Sequence, residues 1–358
     1  MSEFPWPDQP ASAGEKRSAT SATTQDWAGT AVAGLLLVFA AGLHVAAMFP
    51  AYPGSPAKSV ISSPDQTAIY ICLEVGWALA SFLVLSRLSA RGGIALAASL
   101  GLVEIGFLFT DTASGLQVSN DSAPGIWLAW AGLIAGLAGV CLGASGLRML
   151  QPARALPRPS FVVRAWVTVP VAIVAVAAYW PSWDHYHLVG TSGRTIDITI
   201  GNAFAPTVGS WVTTGEVIAG VAIGALAIVA ALWSPSSVGA WAMGGVVIAL
   251  GSQLISGLVQ VHEPLTATLG SNLSGVNLSA SSLWLTAYWS VDVAAAAALT
   301  CLAVWAGLES RATPLSAAPD NASGNPSNGV AITPLGGQWH HSDELDEHWP
   351  APTRWPGT

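Results

Sequence analysis

The amino-acid sequence predicts an all-α integral membrane protein that crosses the bilayer about eight times. Only 9% of its 358 residues are charged, whereas a soluble globular domain has about 25% charged residues. The mean hydropathy is +0.53, and apolar runs of about 20 residues, long enough to cross a hydrocarbon core of about 30 Å, recur along the chain. Basic residues are concentrated in alternate connections, as is typical of multi-pass proteins.

The predicted spans are separated by polar connections and bordered by tryptophan. The first apolar run is too long for the hydrophobic region of a signal peptide, which has about 7–15 residues, so we interpret it as a retained transmembrane helix. Spans are predicted at residues 27–48, 67–85, 93–109, 124–147, 165–180, 211–233, 238–260 and 283–308.

The distribution of basic residues predicts the orientation of these spans. Ten of the twelve Lys and Arg residues lie in the two tails and the even-numbered connections, and only Lys58 and Arg194 lie in the others. Because cytoplasmic connections carry the excess of basic residues, both termini are predicted to be cytoplasmic and the protein is assigned to the plasma (inner) membrane. The polar segments 1–26 and 310–358 are predicted to be disordered cytoplasmic tails.

The longest connection, residues 181–210, is predicted to form an extracytoplasmic β-hairpin between helices 5 and 6. Residues 185–189 and 194–200 are rich in β-branched and aromatic side chains, and they flank the turn sequence Gly190-Thr191-Ser192-Gly193. Two such runs around a glycine-containing turn are typical of a hairpin. We expect it to cap the outer face of the bundle.

The eight spans within 27–309 also divide into two sets of four, 27–150 and 160–309. Val45-Ala46-Ala47 in the first span matches Val176-Ala177-Ala178 in the fifth, and other matches follow in the same order: Glu74-Val75 with Glu216-Val217, Glu104 with Gln253, and Trp127-Leu128 with Trp284-Leu285. One interpretation is a pair of parallel repeats. The other is chance similarity between Ala-rich helices.

Several ionisable side chains lie inside predicted spans, where a charge costs about 2.5–3.5 kcal/mol at the helix centre. These ionisable residues are Glu74, Glu104, Glu216, Asp292 and His44. All five are expected in the extracytoplasmic half of the bundle, and Gln253 is expected in the same half. Acids on four helices at one depth are most favourably housed around a shared, water-accessible cavity. The alternative is that each acid extends separately to the interface or accepts hydrogen bonds from Ser and Thr.

Aromatic residues accompany two of these acids at helical spacing. Tyr70 precedes Glu74 by four residues, and Tyr288 precedes Asp292 by four, so each pair shares a helix face. Carboxylates beside aromatic rings can bind a cation, and crowded carboxylates can hold a proton. The sequence therefore predicts a binding site for a small ligand, a cation or a proton.

Histidines in the outer connections form a weaker candidate metal site. His185 and His187 alternate on a predicted strand and so face one side, and His262 lies on another outer connection. Together they could bind zinc or copper, although solvated loop histidines fit the same spacing. The sequence identifies no cofactor.

The signatures of several enzyme classes are absent from the sequence, including a P-loop, GxSxG and HExxH. The chain has no basic patch interleaved with aromatic residues, which excludes a typical nucleic-acid-binding protein. A non-enzymatic protein that binds or transports a small ligand or cation is the leading hypothesis. An accessory or scaffold subunit of a cell-envelope complex, with membrane-protein partners, is the first alternative, and a membrane-embedded metal or redox protein is the second.

Overall fold

A computed structural model describes the protein over residues 13–52, 58–118, 124–147, 159–181, 183–190, 193, 195–200, 204, 209–233, 236–261 and 278–311. Within these residues, eight helices are long and apolar enough to cross a membrane, which confirms the predicted number of spans. The helices are α1 (Ala13–Ala47), α2 (Pro64–Leu85), α3 (Ala90–Val118), α4 (Pro124–Gly146), α5 (Pro159–Tyr179), α6 (Ser210–Leu232), α7 (Ser236–Gln260) and α8 (Ala287–Arg311).

Three helices begin at a proline, namely α2, α4 and α5. Proline suits the first helical turn because its missing N–H would have no partner there and its φ is already helical. A further proline, Pro170, lies inside α5. Such a proline is tolerated in a transmembrane helix because neighbouring groups satisfy the carbonyl that it frees.

Two helices extend beyond their predicted spans. Helix α1 begins at Ala13 and so includes residues 13–26, which were expected to be disordered; its first turns contain Ala, Glu, Lys and Arg, all good helix formers. Helix α3 continues to Val118, beyond the predicted end at residue 109, and Asp111 in this extension lines a cavity of the bundle. Residues 1–12 and 312–358 of the predicted tails lie outside the described residues.

The strands lie at one end of the bundle, called here the sheet side. Strands β1 (Ala51–Tyr52) and β2 (Lys58–Ser59) form a short antiparallel pair after α1. Strands β3 (Asp184–Gly190) and β4 (Thr195–Ile200) form the predicted antiparallel hairpin, which is therefore confirmed. Its turn includes Gly193 at a φ of +78°, a conformation that glycine adopts without steric cost.

A fifth strand, β5 (Leu278–Leu285), was not predicted. It pairs antiparallel with β3 and makes a three-stranded sheet of order β4-β3-β5. Leu283–Leu285 had been assigned to the eighth span, but these residues belong to the sheet, and α8 begins only at Ala287. The Thr286 N–H donates to the Trp183 carbonyl at 2.7 Å and fixes the transition from strand to helix.

The helices pack in the same order in both halves of the chain. In the first half, α1 contacts α2 and α4, and α3 also contacts α2 and α4; in the second half, α5 and α7 each contact α6 and α8 in the same way. The two four-helix rings meet where α3 packs against α6 and α7, and α2 against α7. A tandem duplication predicts this order, but the repeats at 27–150 and 160–309 remain a prediction.

Arg164 was predicted to lie in a cytoplasmic connection, but it lies inside α5 and is buried. Its Nη1 donates to Oε2 of Glu309 in α8 at 2.8 Å, and its Nη2 donates to the Ala231 carbonyl of α6 at 3.2 Å. A buried guanidinium needs such partners because an unpaired charge there is strongly unfavourable. The ion pair therefore ties α5, α6 and α8 together at the end of the bundle opposite the sheet.

Candidate functional site

A cavity of about 180 Å³ lies between the two helix rings and is lined by three carboxylic acids. Glu104 and Asp111 come from α3, and Glu216 comes from α6. The remaining lining side chains are Gln66, Ile69, Tyr70, Leu73, Phe107, Leu108, Thr110, Tyr179 and Gln253. Among the described residues, no Lys or Arg lines this cavity, so nothing on its wall balances the acids.

A second cavity, of about 160 Å³, adjoins the first beneath the sheet. The two cavities share Tyr179, Glu216 and Gln253. Asp184 of β3 adds a fourth acid to the wall of the second cavity. The inner face of the sheet is held to the bundle because Gln260 Nε2 of α7 donates to the Tyr186 hydroxyl at 2.9 Å. The acidic space thus extends from the middle of the bundle toward the sheet side.

The acids of α3 face α6 because of helical spacing and close packing. Glu104 and Asp111 are seven residues apart and so lie on one helix face. Between them, a Cβ at Gly106 would lie only 2.5 Å from the backbone nitrogen of Ala219 in α6. The absence of a side chain at Gly106 lets the two helix backbones approach closely. This contact sets Glu216, one turn before Ala219, beside the acids of α3.

Glu216 is fixed in the cavity by Tyr179, the last residue of α5, and by Trp180, which follows that helix. The Tyr179 hydroxyl donates a hydrogen bond to Glu216 Oε2 at 2.8 Å. The Trp180 indole N–H donates to the Glu216 backbone carbonyl at 3.2 Å. The Tyr179 bond orients the carboxylate and the Trp180 bond holds the backbone, and neither bond supplies a positive charge to Glu216.

Glu104 connects the cavity to a buried histidine. It is 2% exposed, and its Oε2 accepts a hydrogen bond from the Trp77 indole N–H at 2.9 Å. Its Oε1 lies 3.5 Å from Nε2 of His44 in α1. On the other side of the imidazole, Nδ1 lies 3.7 Å from Oε1 of Glu74 in α2. His44 is therefore held between two carboxylates.

The hydrogen bonding of His44 fixes its tautomer. Nε2 lies 3.0 Å from the Ala129 carbonyl oxygen, which can only accept, so Nε2 carries a hydrogen. Nδ1 is buried without a hydrogen-bond partner, and so are both carboxylate oxygens of Glu74. Buried polar atoms are seldom left unpaired. A proton between Nδ1 and Glu74 would satisfy this pair of groups.

The predicted site residues do not all reach the same space. Glu104, Glu216, Tyr70 and Gln253 line the first cavity, whereas His44 and Glu74 lie behind Glu104. Asp292 is 0% exposed, has no hydrogen-bond partner for its carboxylate, and lies close enough to act electrostatically on Tyr179. Tyr288 instead lines a separate apolar groove of about 660 Å³ between α5, α6 and α8.

The depths of these residues also differ from the expected common level. Glu74 and Glu104 lie at the middle of α2 and α3. His44, Glu216 and Asp292 lie within two turns of the sheet-side ends of their helices. The difference arises because α2 and α3 extend further on the sheet side than their predicted spans.

The histidines of the sheet bind an aspartate rather than one another. His187 Nδ1 lies 2.6 Å from Asp197 Oδ1, and His185 Nε2 lies 3.7 Å from the same oxygen. The His185 ring also stacks on Trp284, with centroids 4.5 Å apart. Within the described residues, no group of three or more His, Cys, Asp or Glu side chains could hold a metal ion. His262 lies outside those residues.

The two aspartates of the hairpin have pKa values shifted in opposite directions. Burial, followed by the charge of Asp65, raises the pKa of Asp184 to about 6. The hydrogen bond with His187 is the largest cause of the lowered pKa of the exposed Asp197. Asp184 faces the cavity and Asp197 faces outward, so the inner face of the sheet disfavours negative charge more strongly than the outer face.

Three residues of this site were not among the sequence-predicted candidates. Asp111 lay just beyond the predicted end of the third span, although its seven-residue spacing from Glu104 was visible. Asp184 lies outside the predicted spans, where the sequence gives no reason to single out an acid. Tyr179 gave no signal, because only the fold places its hydroxyl 2.8 Å from Glu216.

The fold and the site together define a polytopic helical membrane protein with an acidic cavity between two four-helix rings. Comparison with protein-family models, curated proteins and solved structures finds no match to this chain.

Proposed function

We propose that the protein binds a small cation in the acidic cavity between α3 and α6. The observation that supports this proposal is the convergence of Glu104, Asp111 and Glu216 on a space of about 180 Å³ with no described basic residue on its wall. Several ionised carboxylates at one buried site are unfavourable unless protons or a cation neutralise them. A cation entering the cavity relieves the repulsion between acids that already face one another.

The size and lining of the cavity limit the ligand. Pockets for drug-sized molecules have volumes of about 300–1,000 Å³, so this cavity is suited to a partly hydrated metal ion of low charge or a small organic cation. Tyr70, Phe107 and Tyr179 contribute aromatic rings to the wall. Rings of this kind attract cations through their negative faces. The lining therefore suits a monovalent organic cation with some apolar surface, and it also suits an alkali metal ion.

Cation binding is tested with the full-length protein in nanodiscs by titrating sodium, potassium and methylammonium chloride. N-methyl-D-glucamine chloride keeps the ionic strength constant, and heat or tryptophan fluorescence reports binding. We expect saturable binding of at least one probe, weakened about tenfold in Asp111→Asn, which corresponds to about 1.4 kcal/mol. Asp197→Asn is the matched control, since Asp197 lies on the exposed face of the sheet. Equal affinities in the two variants would refute this site.

The proposed function includes an orientation, with the sheet side outside the cytoplasm. It rests on the ten basic residues assigned to the opposite side by the positive-inside rule. In a background with Cys72, Cys141 and Cys301 replaced by alanine, Ser62→Cys on the sheet side should react with an impermeant thiol reagent in intact cells. Ser86→Cys on the opposite side should react only after permeabilisation. The reverse pattern would invert the orientation.

Transport of the cation is the further step in this proposal. The cavity is connected to the space under the sheet, whereas the Arg164–Glu309 ion pair closes part of the opposite end. Proteoliposomes loaded with a cation-sensitive dye distinguish binding from transport. Saturable uptake that is lost in Asp111→Asn would establish transport, and binding without uptake would restrict the protein to a binding role.

A further inference from the structure

We propose that cation binding in the cavity expels a proton from the His44–Glu74 pair, so that the protein exchanges cation for proton. This inference rests on the proposed function, because it assigns the regulation of the same site. Its structural basis is that one carboxylate, Glu104, serves both the cavity and the histidine.

Glu104 lines the cavity and also lies next to His44. Its Oε1 lies 3.5 Å from His44 Nε2, while its Oε2 is held by Trp77 at 2.9 Å. At 2% exposure, this carboxylate has little solvent to screen its charge. A cation that neutralises Glu104 from the cavity therefore removes one of the two negative charges that stabilise a protonated His44.

The geometry also identifies the atom that gains and loses the proton. Nε2 keeps its hydrogen in every state because it donates to the Ala129 carbonyl at 3.0 Å. Nδ1 is unpartnered and points toward Glu74 at 3.7 Å. Protonation of Nδ1 makes an imidazolium between Glu74 and Glu104. When a cation binds, the Nδ1–H bond breaks, the proton leaves to bulk water, and neutral His44 retains its Nε2–H.

Among the described acidic and basic side chains, Glu74 and Glu104 are those that lie within ion-pair distance of His44. Helix α2 contributes Glu74, and α3 contributes Glu104. Helix α4 contributes the Ala129 carbonyl and Gly132, which carry no titratable charge. The Trp77 ring, 5.7 Å from the imidazole between centroids, is also neutral. The protonation of His44 is thus set by two acids, of which only Glu104 also lines the cavity.

Thermodynamic linkage makes the effect reciprocal. If cation binding releases a proton from the His44–Glu74 pair, protons must weaken cation binding to the cavity by the same factor. Asp111 and Glu216 can also lose protons when a cation binds, so the pH dependence of affinity does not isolate His44. The informative quantity is the difference in proton release between the wild type and a variant without the imidazole.

The experiment measures proton release on cation binding with a pH indicator in weakly buffered solution near neutral pH. The probe is whichever of sodium, potassium and methylammonium binds wild-type protein. His44→Gln keeps an N–H for the Ala129 carbonyl and removes the titrating nitrogen, so it should release fewer protons, by up to about one per cation bound. Glu74→Gln removes the counter-charge of Nδ1 and should show the same direction of change. His187→Gln, an exposed histidine beside Asp197, is the matched control and should match wild type.

The outcomes separate this inference from the proposed function. If no probe binds wild-type protein, the proposed function fails, and this inference fails with it. If a probe binds and the folded variants at positions 44 and 74 both release as many protons as wild type, cation binding stands and the coupling to His44 is wrong. Reduced release in either folded variant, with His187→Gln unchanged, supports exchange.

Discussion

The two helix rings place a carboxylate on their second helix, but they provide it with different partners. In the first ring, Glu74 of α2 faces His44 of α1 at 3.7 Å. In the second ring, Glu216 of α6 accepts a hydrogen bond from Tyr179 of α5 at 2.8 Å. An imidazole can carry a positive charge and a phenol cannot. The first ring therefore has a side chain that can place a positive charge beside its carboxylate, whereas in the second ring only the proposed cation would do so.

The sequence correspondence between the rings sharpens this contrast. When Val45-Ala46-Ala47 is matched with Val176-Ala177-Ala178, the position of His44 corresponds to Ala175. Ala175 is buried and contributes no polar atom beyond its backbone. One difference between the rings is thus an imidazole on the first helix of the first ring, which the matched position of the second ring lacks.

The largest expected effect is a loss of stability in the first ring, where His44 packs against α4. A Cβ at position 132 would lie 2.6 Å from Cδ2 of His44, a ring already fixed by the Ala129 carbonyl. Gly132→Ala should therefore destabilise the protein toward the upper end of the range of about 1–3 kcal/mol for overpacking. The measurement is thermal or steric-trap unfolding in a defined detergent or bicelle.

The second ring and α1 supply the controls for this prediction. A Cβ at Gly224 would meet a methyl group of Val176, which can move into the adjoining apolar groove, so Gly224→Ala should cost less. A Cβ at Gly42 would have no neighbour within 4 Å, so Gly42→Ala should be tolerated. If all three substitutions have the same effect, the tight fit around His44 is not what stabilises the first ring.

The second prediction compares the two matched glutamates directly. Glu216→Gln removes a charge from the cavity wall and should weaken cation binding about tenfold, or about 1.4 kcal/mol. Glu74→Gln removes a charge that lies behind Glu104 and should change affinity less than about threefold. Calorimetric titration of both variants gives the ratio. A larger loss in Glu74→Gln would reverse the assignment of the rings.

The smallest expected effect concerns Asp184 of β3, which is partly buried and is repelled by the charge of Asp65 in α2. Its pKa is raised from 3.8 to about 6, so the folded state holds the proton more tightly than the unfolded state. The resulting stability is present below about pH 4 and is lost as pH rises through about 6. Because Asp184 is only half-buried, we expect a loss of about 1 kcal/mol.

Melting temperatures between pH 4 and pH 7 test this prediction. Asp184→Asn should show a smaller fall in stability over that interval than wild type, because the neutral amide does not titrate. Asp197→Asn provides the contrast, since the pKa of Asp197 is lowered and its loss should leave the fall unchanged. Parallel curves for wild type and Asp184→Asn would exclude Asp184 as the cause.

Hydropathy and charge were sufficient to predict the helices, because each span must satisfy its own backbone and exclude charges from lipid. The hairpin was predictable from its β-branched runs and glycine turn. Strand β5 was not, because its last residues, Leu283–Leu285, run into the apolar segment that follows and resemble the start of a span, and because its strand conformation depends on pairing with β3. Local sequence does not encode that partner.

The candidate site was only partly predictable for a related reason. Because an acid inside a span is unfavourable, the sequence singled out Glu74, Glu104 and Glu216. It did not predict which other acids line the same cavity. Asp292 and Tyr288 lie on successive turns of one helix, yet Asp292 is buried and Tyr288 faces an apolar groove. Separating such neighbours requires knowing where the adjacent helices lie, and that information is tertiary.

The glycines of α4 have a mechanical consequence. At Gly132 and Gly139 an added Cβ would lie 3.1 Å and 3.0 Å from the carbonyls of Ala40 and Ala33 in α1. Helices that are separated by long side chains can slide past each other as the rotamers of those side chains change. Where the backbones of two helices pack directly together, there are no such side chains to rearrange. We therefore expect helices α1 and α4 to move together as one rigid unit. On that basis, we expect any motion that admits or releases the proposed cation to occur at the junction of α2 and α3 with α6 and α7.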